Sequence, residues 1–228
     1  MLRHSRQRLQ GPYNKITAII QRWPIRYNSE HKERTRTRVL REATKAIRAE
    51  GPRRVGVAGM MAKAGLTHGG FYAHFASKDD LVVAAMSQMF DEASAQLDWL
   101  TAGKPPAAAL RAYIDFYLSR QHRDARETGC PLPSLSADLP RLGLVARQQF
   151  AAGVAGLTAS IAGLLSALGR PDPEILASSA PAEMVGAVSL ARGIADPKQS
   201  DAILKASRDS LKLRLELVES DGASRARR

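Results

Sequence analysis

Apolar positions recur at helical spacing through most of the chain. Within residues 32–50, Val39, Leu40, Ala43 and Ile47 fall at i, i+1, i+4 and i+8 with Arg and Lys on the remaining faces, and Gly51-Pro52 ends the pattern. Val57, Met60, Met61 and Ala64 keep the same period in a short second segment, and Gly65 suits the left-handed position that follows a helix. Thr67 is placed to cap a third short helix reaching Phe75. Ser77 and Asp80 have capping-box spacing, with Asp79 and Asp80 in a first turn where acidic groups suit the helix dipole. A long helix is expected from there to about Leu100, with Val82, Met86, Met89, Ala93 and Leu100 on one face and Phe90 and Leu97 beside it. Breaks at residues 103–106, 129–133 and 169–173 separate a helix carrying Leu110, Ile114, Tyr117 and Leu118 from a short segment at 134–139 and a long helix at 142–168. Two further helices are expected at 174–192 and 197–218. No β alternation and no repeat are present, so the expected fold is all-α.

Composition agrees with that pattern, since aromatics are only 5% of 228 residues. The net charge of +12 adds something the pattern does not. Residues 1–31 hold six Lys/Arg against one Glu, residues 32–78 eleven against three, and residues 79–228 seventeen against eighteen acidic groups. A basic head on a near-neutral body fits a polyanionic partner, either nucleic acid or an anionic membrane surface. Residues 1–31 lack periodicity and carry Pro12 and Pro24; they are expected to be a disordered basic extension, or an over-long start of the reading frame. Their short apolar run is interrupted by Gln21, Arg22 and Pro24 and does not make a secretory signal. Residues 150–169 carry no charge over 20 positions, long enough to span a bilayer. Their large residues, Phe150, Val154, Leu157, Ile161, Leu164, Leu165 and Leu168, form one helical stripe, so a buried helix packing closely on its neighbours is expected and no membrane partner. The expected organisation is an extension (1–31), a DNA-binding domain (32–78), a helical body (79–220) and a mobile tail (221–228).

Three short helices around a Gly-containing turn in a basic segment have the sequence form of a helix-turn-helix unit, the second helix bracing the third for entry into a major groove. Met60, Met61, Leu66 and Phe75 would supply the bracing core. The run AGLTHGGFYAHFASKDDLV, Ala64 to Val82, together with VGVAGMMAKAGLT before it, resembles the recognition-helix signature of the TetR family of transcriptional regulators. The specific likeness covers about residues 35–83. It implies that Thr67 and His68 open the recognition helix, that Gly69 and Gly70 permit close approach to the groove, and that Tyr72, His74 and Lys78 hold phosphates. Arg36 joins them at the backbone, and Phe71 either contacts a thymine methyl or belongs to the core.

The resemblance further implies a homodimer through the last two helices, for which Leu204, Leu211, Leu215 and Val218 form an apolar stripe. It implies a double-stranded DNA operator with two-fold pseudo-symmetry, and a small-molecule effector bound in the neutral body between the long helix after Ser77 and the uncharged helix. Met86, Met89, Phe90, Tyr113, Phe116 and Tyr117 are candidate lining residues, with the helix beginning at Ser77 as the lever to the head. Cys130, the sole cysteine, lies in GCPLPSL, a segment resembling one in several family members. It is either a thiol beside the pocket that an electrophile or oxidant modifies, with Arg123 and Arg126 lowering its pKa, or a small buried apolar residue. A dimeric, cytoplasmic repressor released by its effector is therefore expected, with a thiol-based sensor and a cysteine-dependent enzyme as rivals. No histidine has a position that marks it as a base, no zinc spacing is present, and neither metal nor cofactor nor catalysis is expected.

Overall fold

The computed structural model describes residues 23–217, which are helical with no strand among them. Helix α1 (Trp23–Glu50) is longer than its apolar period implies. It begins nine residues before the expected start at Lys32, because Pro24 sits in the first turn, where a missing N–H breaks no helical hydrogen bond. The rest of the expected extension, residues 1–22, lies outside the described residues, as do the expected tail and Val218. At the other end of α1, Gly51 takes φ +84°, donates to the Ile47 carbonyl at 2.9 Å, and lies so near Asp138 that a Cβ there would meet its carboxylate at 2.6 Å.

Helix α2 (Val57–Lys63) ends in a Schellman motif: Gly65 at φ +68° donates to Ala62 O, and Leu66 N–H to Met61 O. The segment expected as the recognition helix is a 3-10 turn, His68–Ala73, rather than an α-helix. Adjacent Gly69 and Gly70 disfavour regular α-helix, and Thr67 stands at the N-cap position without a side-chain cap bond. Helix α3 (Lys78–Thr101) has the expected reciprocal cap: Ser77 Oγ accepts from Asp80 N–H at 3.0 Å, and Asp80 Oδ2 accepts from Ala76 N–H at 3.0 Å.

The body continues with α4 (Pro106–Tyr117), α5 (Arg120–Asp124), α6 (Pro131–Leu135), α7 (Leu144–Ala167), α8 (Pro173–Gly193) and α9 (Pro197–Arg214). The short α5 had no counterpart in the apolar pattern. Helix α3 packs on α1, α4 and α7, so one rod touches both head and body, and one hydrophobic cluster runs from Val39 to Leu217. Helix α7 is long and apolar enough to cross a membrane by length and composition. It is not closely packed all round: Ala146, Leu157, Ile161 and Leu165 are buried, whereas Leu144 and Val145 and most of its Ala, Gly and Ser residues are exposed. Its tightest contact is at Gly153, where a Cβ would lie 2.3 Å from the Phe90 ring.

The stripe assigned to the dimer is corrected by burial. Leu204, Leu211 and Leu215 are at most 2% exposed within a single chain, because α9 turns that face onto α8 and α4. Leu213, on the opposite side, is 71% exposed.

Candidate nucleic-acid interface and effector cavity

The head is built around a short aromatic stack. Phe71 and Phe75 are buried with ring centroids 5.7 Å apart, beside Met60 and Met61 from α2 and Val39, Leu40 and Ala43 from α1. Phe71 is therefore core, and its assignment as a base contact is corrected: a ring 1% exposed cannot reach a thymine methyl. Leu66 is only half-buried at the edge of this core.

With the apolar residues turned in, Thr67, His68, Gly69, Tyr72 and Ala73 are left exposed on one short surface. Tyr72 is 68% exposed, and its ring meets the edge of Phe71 at 5.3 Å, which fixes the direction of the phenol. A Cβ on Gly69 would meet nothing within 4 Å, so no internal contact requires that glycine; at Gly70 the neighbours, Met61 and Thr67, lie at an ordinary 3.8 Å. The remaining expected phosphate ligands are partly occupied. Arg36 stacks on Phe75 at 4.9 Å, and Lys78 Nζ donates to Arg53 O at 3.1 Å while retaining two further protons. His74 is half-buried with Nδ1 unpaired; burial first, then Lys32 and Arg36, lowers its pKa below the ordinary 6.5, so the ring is neutral near pH 7.

The body contains a cavity of about 150 Å³ lined by Arg48, Glu92, Ala93, Gln96, Tyr113, Phe116, Tyr117, His122, Thr128, Gly129 and Cys130. Of the expected pocket residues, Tyr113, Phe116, Tyr117 and Cys130 are brought together here. Met86, Met89 and Phe90 are not: the two methionines are 0% exposed in the core and Phe90 packs on Phe150 and Gly153, so these three assignments are corrected. Helix α7 contributes nothing to this wall, contrary to expectation: most of its small residues are exposed, and Gly153 lies against Phe90.

The other seven lining residues were not expected, and two of them, Arg48 and His122, are buried polar groups. Arg48 lies one residue after Ile47 on the buried side of α1 and donates from Nη2 to Glu92 at 2.6 Å. Its helical position beside buried Thr44 and Ile47 is the signal the sequence carries for it. His122 is buried; its Nδ1 lies 2.8 Å from Tyr117 O and its Nε2 accepts the Cys130 backbone N–H at 3.0 Å. These partners place the proton on Nδ1 of a neutral ring, and burial lowers the pKa in agreement. No sequence pattern marked this residue, since its role depends on a turn that folds residues 122–130 back on themselves.

Gly129 completes that turn: a Cβ would lie 3.0 Å from Ala125 O, 3.1 Å from Arg192 Nη2 and 3.2 Å from His122 Nε2. Arg192 of α8 donates to the carbonyls of Arg123 and His122, tying α8 to the same turn. The Cys130 thiol is pushed up by burial, which outweighs the Tyr117 hydroxyl and the cations Arg48 and Arg192. Arg123 and Arg126, expected to activate it, are spent elsewhere, on Asp124, Asp201 and Ser200 and on Ala49 O. With His122 committed to the Cys130 backbone, no base among the described residues is aimed at the thiol. Among the described residues, no cluster of three or more His, Cys, Asp or Glu could hold a metal.

A braced polar surface on a basic three-helix head, continuous through α3 with a helical body, defines a helix-turn-helix DNA-binding regulator. Residues 39–85 match the family model described as bacterial regulatory proteins, tetR family. A TetR transcriptional regulator from Chloroflexus aurantiacus J-10-fl is 25% identical with a TM-score of 0.71, the match covering 82% of this chain and 96% of that one. A TetR-family regulator from Agrobacterium tumefaciens (24% identity, TM-score 0.70, 83% and 100% covered) and reduced E. coli NemR (21%, 0.70, 78% and 95%) share the fold. No curated protein matches the chain. The head is thus a tetR-family DNA-binding domain, and the described chain as a whole has the fold of TetR-family transcriptional regulators.

Proposed function

We propose that the protein is a cytoplasmic homodimeric repressor that holds a pseudo-palindromic operator through paired recognition segments and releases it when a small molecule fills the cavity. The observation that carries this reading is the path of α3, whose first turn follows the exposed Thr67–Tyr72 surface and whose Glu92, Ala93 and Gln96 wall the cavity. A ligand that prefers one orientation of α3 then shifts the operator equilibrium by its differential affinity. In this reading Thr67, His68 and Gly69 approach base edges, while Tyr72, His74, Lys78 and Arg36 hold phosphates.

One head reads too few bases for useful selectivity, so two are needed, with half-sites a helical turn or a multiple apart. The dimer surface proposed here is the outer face of α8 and α9, where Ile175, Ala182, Gly186 and Leu190 alternate in helical register beside Ala202 and Leu213, all exposed in the single chain. Small residues at that spacing permit close helix packing in a four-helix interface.

The test is an anisotropy titration of labelled duplex taken from the DNA flanking the protein's own gene, repeated over a salt series. Affinity should fall steeply with salt, and Lys78→Ala should flatten the slope by about one phosphate contact. Tyr72→Ala should weaken binding without altering helicity. Salt-independent binding, or a chain that is monomeric by light scattering at the same concentration, overturns the reading.

A further inference from the structure

The cavity holds two buried donors for which the described residues supply no strong acceptor. Arg48 Nε–H is unpaired although the side chain is 3% exposed, and the Tyr117 hydroxyl has no partner beyond the Cys130 thiol, a weak one. Guanidinium Nε and one terminal nitrogen form a fork that matches the two oxygens of a carboxylate. Glu92 uses a single prong of that fork, Nη2. Its side chain is 45% exposed and also accepts from Gln88 Nε2 at 2.9 Å, so it can withdraw into water with one bond kept, whereas Arg48 cannot leave. The opposite wall is aromatic, from Tyr113 and Phe116, and about 150 Å³ suits a ligand of roughly one ring.

We propose that this cavity binds a small organic carboxylate of single-ring size, its oxygens accepting from Arg48 Nε and Nη2 and from the Tyr117 hydroxyl in place of Glu92. This names the ligand class of the effector site proposed above and rests on that reading only for its link to DNA. The link is local. Arg48 belongs to α1 of the head and Glu92 to α3, so the carboxylate replaces a bond between the two helices with a bond to itself. The next residue of α1, Ala49, gives its carbonyl to Arg126 of the loop that also supplies Thr128 and Gly129 to the cavity.

Calorimetric titration of the full-length protein with benzoate, and with benzamide as its neutral counterpart, tests this. One benzoate per chain should bind, with benzamide at least tenfold weaker, the size of effect that loss of a charged hydrogen-bonding partner produces. Tyr117→Phe should weaken benzoate by about tenfold with unchanged helicity. Glu92→Gln, on an exposed side chain, should tighten benzoate because an amide competes poorly for Arg48. Equal binding of benzoate and benzamide, binding of neither, or benzoate affinity indifferent to both substitutions overturns the proposal. Duplex binding measured on the same preparations separates the two claims: protein that holds its duplex but ignores benzoate refutes the ligand class alone, and protein that takes benzoate but no duplex refutes the regulator alone.

Discussion

Head and body each place polar groups by apolar packing, but they leave those groups in opposite surroundings. In the head, Phe71 and Phe75 face inward so that Thr67, His68 and Tyr72 are delivered to water, where a partner outside the chain must complete them. In the body, Tyr113, Tyr117 and His122 face inward, joined by Arg48 from the head's first helix, and the polar groups either find partners within the chain or stay buried without one. The difference is one of cost. An exposed, hydrated Tyr72 costs the fold nothing, whereas a buried donor left unpaired costs on the order of 1–3 kcal/mol. Under the proposed function, recognition would thus be nearly free of stability in the head and closely coupled to it in the body.

The strongest test of this contrast is Phe71→Ala, which removes a buried aromatic from the small core of the head. It should cost about 3–5 kcal/mol and melt the head before the body, seen as an early step in denaturant unfolding; a single unshifted transition would show that the stack carries no such load. Gly129→Ala comes next. Its Cβ meets a backbone carbonyl, a guanidinium and the His122 ring, and overpacking of this kind typically costs about 1–3 kcal/mol. Thermal unfolding should move by that amount while salt-dependent duplex binding at low temperature is retained.

The smallest effect is one of pH. His122 is neutral when folded with its pKa lowered from 6.5, so the unfolded chain binds the proton more readily. Stability is fully present above about pH 6.5 and declines as the pH falls from there towards the folded value, below which both states are protonated and the loss stops. Comparing urea midpoints between pH 7.5 and 5.5, His122→Gln should show a shallower fall than the parent protein. An identical pH dependence in the two would remove His122 from the account.

What the sequence made legible follows the same division. The turn from α2 into α3 could be read because its determinants are local: Gly65 for the left-handed position and Ser77 with Asp80 for the cap all act within a few residues. The cavity was half legible. Tyr113, Phe116 and Tyr117 share one face of α4, but Arg48, Glu92 and His122 come from three other helices, and no spacing along the chain announces that they meet. The α9 stripe shows another limit, since periodicity marks Leu204, Leu211 and Leu215 as covered without saying whether the cover is this chain or a second copy. Pro24 misled for a related reason: a proline stops a helix only if the helix has already begun.

Helix α3 is a single 24-residue element, with the cavity near its middle and the recognition segment at its tip. Glu92 stands fourteen residues from Lys78, an arm of about 21 Å at 1.5 Å per residue, so a tilt of about 5° pivoting at the cavity would swing the tip through an arc of about 2 Å. In the proposed dimer, two such arms swinging outward together would change the gap between heads by about twice that, while groove spacing along the duplex stays fixed at about 34 Å. A rearrangement no larger than the span of one hydrogen bond would thereby become a misfit on the scale of a base-pair step.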